Sequence, residues 1–114
     1  MHELSIVESL IELCEENAFK NEAKSVQEIH VKIGRLSGVE TDLFKRCFET
    51  FRENSPFCKD ARLFIETAPL EILCLKCEQK SILEKNIFKC PNCESLEYKI
   101  TQGEDLHLMR LVME

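Results

Sequence analysis

The stretch CLKCEQKSILEKNIFKCPNC, residues 74–93, decides how this chain divides. It holds two Cys-x-x-Cys units, Cys74–Cys77 and Cys90–Cys93, with twelve residues between them. Each unit can wrap two thiolates onto one ion, and the spacer suffices for a hairpin that brings the pairs together. Four thiolates at tetrahedral spacing suit Zn2+, a d10 ion with no geometric preference of its own. The expectation is one closed four-cysteine zinc site made by Cys74, Cys77, Cys90 and Cys93. A four-cysteine iron site of rubredoxin type uses the same geometry, so ligand type alone leaves iron open. A redox pair is disfavoured by the presence of two units on so short an insert. A closed tetrathiolate ion is structural, and its local task is to fold a segment whose apolar content is too thin for a core.

Working outward, Leu70 to Gln102 reads as an insertion between two strand-like segments. It carries five acids and five bases, and a zinc tetrathiolate centre is itself dianionic. A nucleic-acid-binding ribbon needs a basic face, which is missing here. Before the insertion, Val7, Leu10, Ile11, Cys14 and Ala18 recur at helical spacing behind a Ser5/Glu8 capping box. This predicts a helix from about Ser5 to Phe19. VQEIHVKIG (26–34) alternates, with Ile29, Val31 and Ile33 on one face and Glu28, His30 and Lys32 on the other, and predicts a half-buried strand. Thr41 is read as the cap of a second helix with an apolar stripe of Leu43, Phe44, Cys47, Phe48 and Phe51. ARLFIETA (61–68) alternates again until Pro69, and DLHLMRLVM (105–113) is apolar enough for a last strand.

The fold class that follows is α/β (α+β), a small mixed sheet of about three strands covered by two helices. The expected division is residues 1–69 plus 103–114 as one unit, with 70–102 as an inserted four-cysteine zinc ribbon.

Bulk properties agree with a soluble globular chain. The 114 residues are 44% hydrophobic and 32% charged, with a formal charge of −6. A chain this short buries a modest core, so a metal staple helps it. The acidic balance argues against nucleic acid as a partner. No apolar run approaches the ~20 residues of a membrane span. Glu3, Glu8 and Glu12 interrupt any signal-peptide core, so the expected location is the cytoplasm. Seven cysteines in a reducing compartment favour metal binding over disulfides. Cys14 and Cys47 fall on the helix stripes and read as small buried hydrophobes. Cys58 falls in a loop that could be exposed, with no evident His partner to make it a nucleophile.

The amino terminus, MHELS, places a histidine one residue from the free amine. The α-amine, the His2 imidazole and the amide between them form a chelating set of the kind that suits Ni2+ and Cu2+. A histidine at position 2 alone is a common accident. MHELS occurs here, however, with IGRLSGVE (33–40), F..CFETF (44–51), the paired Cys-x-x-Cys units and ITQGEDLHL (100–108), in one order. Together these closely resemble the HypA family of hydrogenase and urease nickel-incorporation proteins, over essentially the whole chain.

The resemblance implies a nickel metallochaperone with no catalytic turnover, built as a small α/β nickel domain with a zinc module inserted before the last strand. Carried over, nickel would be held by the Met1 amine, the His2 imidazole and backbone nitrogens of His2 and Glu3. Structural zinc would be held by Cys74, Cys77, Cys90 and Cys93. Implied partners are the GTPase HypB and the large subunit of nickel–iron hydrogenase, with urease accessory proteins as further partners in some members. No nucleic acid and no membrane are implied. Some members carry histidines beside the Cys-x-x-Cys units that are linked to pH-dependent changes at zinc. No histidine lies between Cys74 and Cys93 here, so that behaviour is not transferred.

Glu3 either contributes to the nickel site or favours the nearby helix start with its carboxylate. His107 is either an accessory ligand or a structural histidine. His30, on the polar strand face, is expected to be solvated. Two other function classes compete: a zinc-ribbon adaptor with an incidental His2, and a redox enzyme using iron or Cys58. No nucleophile–base pair supports catalysis, and GRLSG lacks the Lys-Ser/Thr of a phosphate loop.

Overall fold

The computed structural model describes residues 3–84 and 87–114. Its elements are α1 (Glu3–Lys20), β1 (Val26–Gly34), α2 (Thr41–Phe51), β2 (Arg62–Ala68), β3 (Leu70–Cys74), β4 (Lys80–Leu83), β5 (Tyr98–Gln102) and β6 (Leu106–Met113). They form two three-stranded sheets, ordered β2-β1-β6 and β4-β3-β5.

In the first sheet β1 runs parallel to β2 and antiparallel to β6. The parallel pair is what a strand–helix–strand crossover through α2 produces. The helices cover one face. Val7, Leu10, Ile11, Cys14 and Ala18 of α1 and Phe44 and Phe48 of α2 close over Ile29, Val31 and Ile33. Cys47 and Phe51 pack at the edge of this cluster. Period two on the strand and 3.6 on the helices thus bring the two helices onto one face of this sheet, as expected.

Both helix starts differ from the sequence reading. Helix α1 already includes Glu3, so Ser5 lies exposed within the first turns and is not the cap. Helix α2 has Glu40 at the capping position, with no side-chain cap bond of its own, and Thr41 is its first helical residue. Cys58 is also corrected. Its loop is real, but the thiol is fully buried in the helix–sheet core.

The second sheet is antiparallel throughout. Its strand β3 alternates so that Leu70, Ile72 and Cys74 all point inward. Leu70, Ile72 and Leu83 form a small cluster of their own, flanked by Tyr98 and Ile100. The segment therefore has a small apolar core besides its cysteines, which composition did not reveal.

The two sheets meet at a glycine crossing. A Cβ on Gly34 would lie 2.4 Å from the carbonyl of Gly103, and one on Gly103 would lie 2.8 Å from the Pro69 oxygen. Gly103 also has φ +110°, a conformation side chains resist. The molecule is 53 Å long and 26 by 17 Å across.

Candidate metal centre

Beyond β3 the chain turns through Cys74–Cys77, and beyond the β4 side it turns through Cys90–Cys93. The turns are built alike. The Glu78 N–H donates to the Cys74 carbonyl at 3.0 Å, and the Glu94 N–H donates to the Cys90 carbonyl at 2.8 Å. Both glutamates sit four residues after the first cysteine and have φ +61°. Left-handed backbone at a non-glycine residue is uncommon. Its recurrence at one offset accompanies the same backbone hydrogen bond in both turns.

The result is a convergent thiol cluster. The Sγ atoms of Cys74, Cys77, Cys90 and Cys93 all lie within 4.8 Å of one another. Cys74 and Cys93 are 3.5 Å apart, and Cys77 and Cys90 are 3.7 Å apart. A tetrahedron with Zn–S bonds of ~2.3 Å has edges of roughly 3.8 Å, so the cluster has the right size for such an ion. Cys74 and Cys90 are buried and Cys93 is exposed.

Electrostatics set Cys93 apart from Cys74 and Cys77. The Cys77 backbone N–H, supported by that of Lys76, holds the Cys74 thiol down at about 6 against the opposing effect of burial. The Gln79 N–H and then the Asn92 amide lower Cys77. The Ser95 N–H pulls Cys93 down too. Its hydrogen bonds with neighbouring Cys74, Cys77 and Cys90, together with burial, outweigh that pull and hold it up at about 12. Each ionised sulfur makes the next harder to ionise, and a divalent cation removes that opposition. Sequence reasoning missed the Asn92 amide, whose Nδ2 donates to Cys77 Sγ at 3.7 Å. Residues between the cysteines of a Cys-x-x-Cys unit are where such donors can be sought.

The amino-terminal residues stand differently. Met1 and His2 lie outside the described residues. Glu3 is 5% exposed, and its Oε2 accepts a hydrogen bond of 3.0 Å from the Glu40 N–H. Its carboxylate thus serves the start of α2, besides lying in the first turn of α1. Glu40 was not singled out in the sequence, and nothing local marks a partner 37 positions away.

His107 is exposed on β6, opposite Lys32 of β1. With Ala68 and Gln102–Asp105 it lines an open cavity of about 480 Å3 near the sheet crossing. His30 is not merely solvated. Its Nε2 is 2.9 Å from Glu28 Oε1 and 3.2 Å from Arg110 Nη2, and its ring stacks on Phe64 at 4.7 Å. That hydrogen bond with His30 is the main reason the Glu28 carboxyl sits below its usual range. Cys58 shares the core with Cys14. Their mutual hydrogen bond, with burial, pushes the Cys14 thiol far up, while that same bond, helped by Ser55 and opposed by burial, draws Cys58 down; what keeps Cys58 from serving as a nucleophile is its complete burial. Among the described residues, the four cysteines are the one group of three or more such side chains placed to hold an ion.

Comparison with known proteins agrees with this architecture. Residues 1–113 match the family described as HypA: hydrogenase/urease nickel incorporation, metallochaperone. The chain is 80% identical over 113 residues to the hydrogenase maturation factor HypA of Campylobacter jejuni, covering 99% of each chain. It is 43% identical to that of Aquifex aeolicus, covering 100% of this chain and 98% of the relative. The fold superposes on the solution structure of the Ni metallochaperone HypA from Helicobacter pylori with a TM-score of 0.76 and 42% identity. That match covers 99% of this chain and 97% of the other.

Proposed function

The chain belongs to the HypA family of hydrogenase/urease nickel-incorporation metallochaperones, and on that premise we propose that it binds Ni2+ at its amino terminus and delivers it during maturation of nickel–iron hydrogenase. It is a maturation factor and not an enzyme. Nickel is cargo here and zinc is resident.

The nickel half of the reading is supported by the family match over residues 1–113, and the zinc half by the convergence of four sulfurs within 4.8 Å. Four thiolates complete a tetrahedron and leave no open position, which suits an ion that stays. The donor set fits zinc: borderline-soft, tetrahedral, with backbone N–H groups of Lys76 and Cys77 already aimed at sulfur. Cargo needs a site that opens. The Met1 amine, the His2 imidazole and the backbone nitrogens of His2 and Glu3 form one with few side chains, ahead of α1. The nitrogens must be free of protons to bind, with reference values of ~6.5 for imidazole and ~7.7–8.0 for an α-amine. Nickel affinity therefore weakens as pH falls through that range. Raw affinity does not favour nickel over copper at nitrogen donors. Selectivity comes instead from docking to partners, namely the GTPase HypB and the hydrogenase large subunit, with urease accessory proteins serving a second client.

The corresponding division is a nickel unit of residues 1–69 plus 103–114 and a zinc unit of 70–102. Among the described residues no helix is long and apolar enough to cross a membrane. A cytoplasmic setting fits seven cysteines kept as thiols.

The test is a calorimetric Ni2+ titration of zinc-loaded protein with an untagged native amino terminus, compared with His2→Ala. One Ni2+ bound by the wild type and none by the variant, at equal zinc content, is expected. Equal binding by both overturns the amino-terminal site and favours an adaptor built around the zinc module.

A further inference from the structure

Two thiols outside the metal centre face each other inside the core. Cys14 stands on α1 and Cys58 in the loop between α2 and β2, and both are fully buried. Their sulfurs share a hydrogen bond. A single buried thiol is a small hydrophobe among apolar neighbours. Two in contact differ, because sulfurs that already face each other are where an S–S bond of ~2.05 Å forms. The contact also makes the sulfurs unequal. It draws Cys58 down, helped by Ser55 and opposed by burial, and it pushes Cys14 up. In such a pair one sulfur attacks and the other resolves.

The loop that carries Cys58 is closed on itself. The Ser55 N–H donates to the Arg52 carbonyl at 3.0 Å, the Ala61 N–H donates to the Cys58 carbonyl at 3.1 Å, and Arg52 Nη1 donates to the Ala61 carbonyl. Ser55 then joins this loop to α1. Its Oγ accepts from the Cys58 N–H at 3.2 Å and donates to Glu15 Oε2 at 2.7 Å. Glu15 follows Cys14 in the chain, so the Ser55–Glu15 bond lies beside both thiols. A surface cavity of about 210 Å3 reaches this point, with Ile11, Glu15, Phe51 and Ser55 in its lining. The loop also holds the start of β1, where the Val26 N–H donates to the Phe57 carbonyl at 2.8 Å.

We propose that Cys14 and Cys58 are a peroxide-reactive dithiol, whose product is an intramolecular disulfide that locks α1 to the loop ahead of β2. Burial bars a large substrate from Cys58, but not a second thiol already beside it, nor an oxidant little larger than water. Hydrogen peroxide enters beside the Ser55–Glu15 bond. The Cys58 sulfur attacks one peroxide oxygen and the O–O bond breaks. The Cys58 proton goes to the leaving hydroxide, giving one water and a sulfenic acid. The Cys14 sulfur then attacks the sulfenic sulfur and the S–O bond breaks. The Cys14 proton goes to that hydroxide and gives the second water. Two thiols have lost two electrons and two protons, and one peroxide has gained them. Burial also decides the product, because soluble thiols are kept away and the sulfenic acid meets Cys14 instead. Zinc holds the four cluster sulfurs out of the reaction.

The experiment treats the zinc-loaded full chain with dilute hydrogen peroxide, quenches it, and follows intact mass, peptide map and bound zinc. A parallel sample without peroxide receives a bulky maleimide. The expected product has lost two hydrogens, its map joins the peptides of Cys14 and Cys58, and its zinc is still bound. It forms at least about 10-fold faster than maleimide reaches either thiol, because maleimide waits for unfolding. Dithiothreitol reverses it, and the oxidised chain unfolds at higher urea than the reduced one. Cys47→Ser leaves the product unchanged and Cys58→Ala abolishes it. A joined pair that appears no faster than maleimide labelling overturns the proposal, since only the unfolded chain then reacts. Zinc loss ahead of the joined pair overturns it as well. So does Cys58 oxidised to a sulfinic acid with no joined peptide, which would show that the two sulfurs do not reach each other. Should Cys58→Ala not fold, the wild-type map and its rate decide alone.

Discussion

The carboxylate of Glu3 accepts a hydrogen bond from the backbone N–H of Glu40, 3.0 Å away and 37 positions along the chain. In a capping box, an acid three residues into a helix reaches back to the N–H at the cap. Here the acid comes from a different helix. Helix α2 has no side-chain cap of its own at Glu40, and a buried carboxylate from α1 supplies the acceptor instead. One bond therefore orients the first turn of α1 and satisfies the start of α2. The chain's amino terminus, where the family's cargo ion is proposed to sit, leads directly into this contact.

Replacing Glu3 separates its side chain from its backbone. Glu3→Gln retains an acceptor of the same length and is expected to keep both fold and nickel binding nearly intact. Glu3→Ala leaves the Glu40 N–H without its partner and is expected to cost about 1–3 kcal/mol in thermal or denaturant unfolding. Nickel affinity should fall in Glu3→Ala as well, since the first turn is no longer seated. Equal stability of Glu3→Ala and wild type would show that the Glu3–Glu40 bond contributes nothing.

How much of this was legible beforehand follows from the range of each interaction. The apolar faces of α1, α2 and β1 obey periods of 3.6 and 2, so Val7, Cys14, Phe48 and Val31 could be placed from sequence, and all four are buried. The convergence of Cys74, Cys77, Cys90 and Cys93 was legible because Cys-x-x-Cys is a local unit. Glu3 was half legible: its place at a helix start was read, but its partner lies in a loop far along the chain. The Ser5/Glu8 box and Thr41 misled because capping patterns are short and frequent, while tertiary contact decided the helix starts. His30 misled for a related reason. Alternation put it on the outer face, but Phe64 and Arg110 reach it only through pairing with β2 and β6.

That outer face makes a pH prediction. His30 Nε2 faces both Glu28 and Arg110, and one ring nitrogen cannot donate to the carboxylate and accept from the guanidinium at once. The Glu28 carboxyl sits below its usual range, owing first to the His30 hydrogen bond and only lastly to Arg110. A lowered folded value means that this contribution to stability is complete above the unfolded carboxylate range. It is lost as pH falls through the lowered value. His30→Phe keeps a ring to stack on Phe64 and removes the nitrogen. In a carbon-detected titration Glu28 is then expected to return toward the ordinary range, with Arg110→Ala moving it less. A larger effect from Arg110→Ala would reverse the assignment.

Thiol chemistry tests the metal centre and the core together. Of the seven cysteines, Cys14 and Cys58 are fully buried, Cys47 is half-buried on α2 at the edge of the core, and four belong to the cluster. Cys93 is the most exposed of all, so accessibility alone would make it the first to react. A closed four-thiolate ion reverses that order, because a coordinated sulfur has given its lone pair to the metal. Zinc-loaded protein treated with a thiol reagent is therefore expected to label quickly at Cys47 alone. A strong chelator should expose the sulfurs of Cys74, Cys77, Cys90 and Cys93 to the reagent and release one zinc in step. Cys14 and Cys58 should follow only at the rate of unfolding. Rapid labelling of Cys93 before chelation would show that the four sulfurs do not enclose an ion. Rapid labelling of Cys58 would show an accessible thiol and return a cysteine-based reaction to consideration.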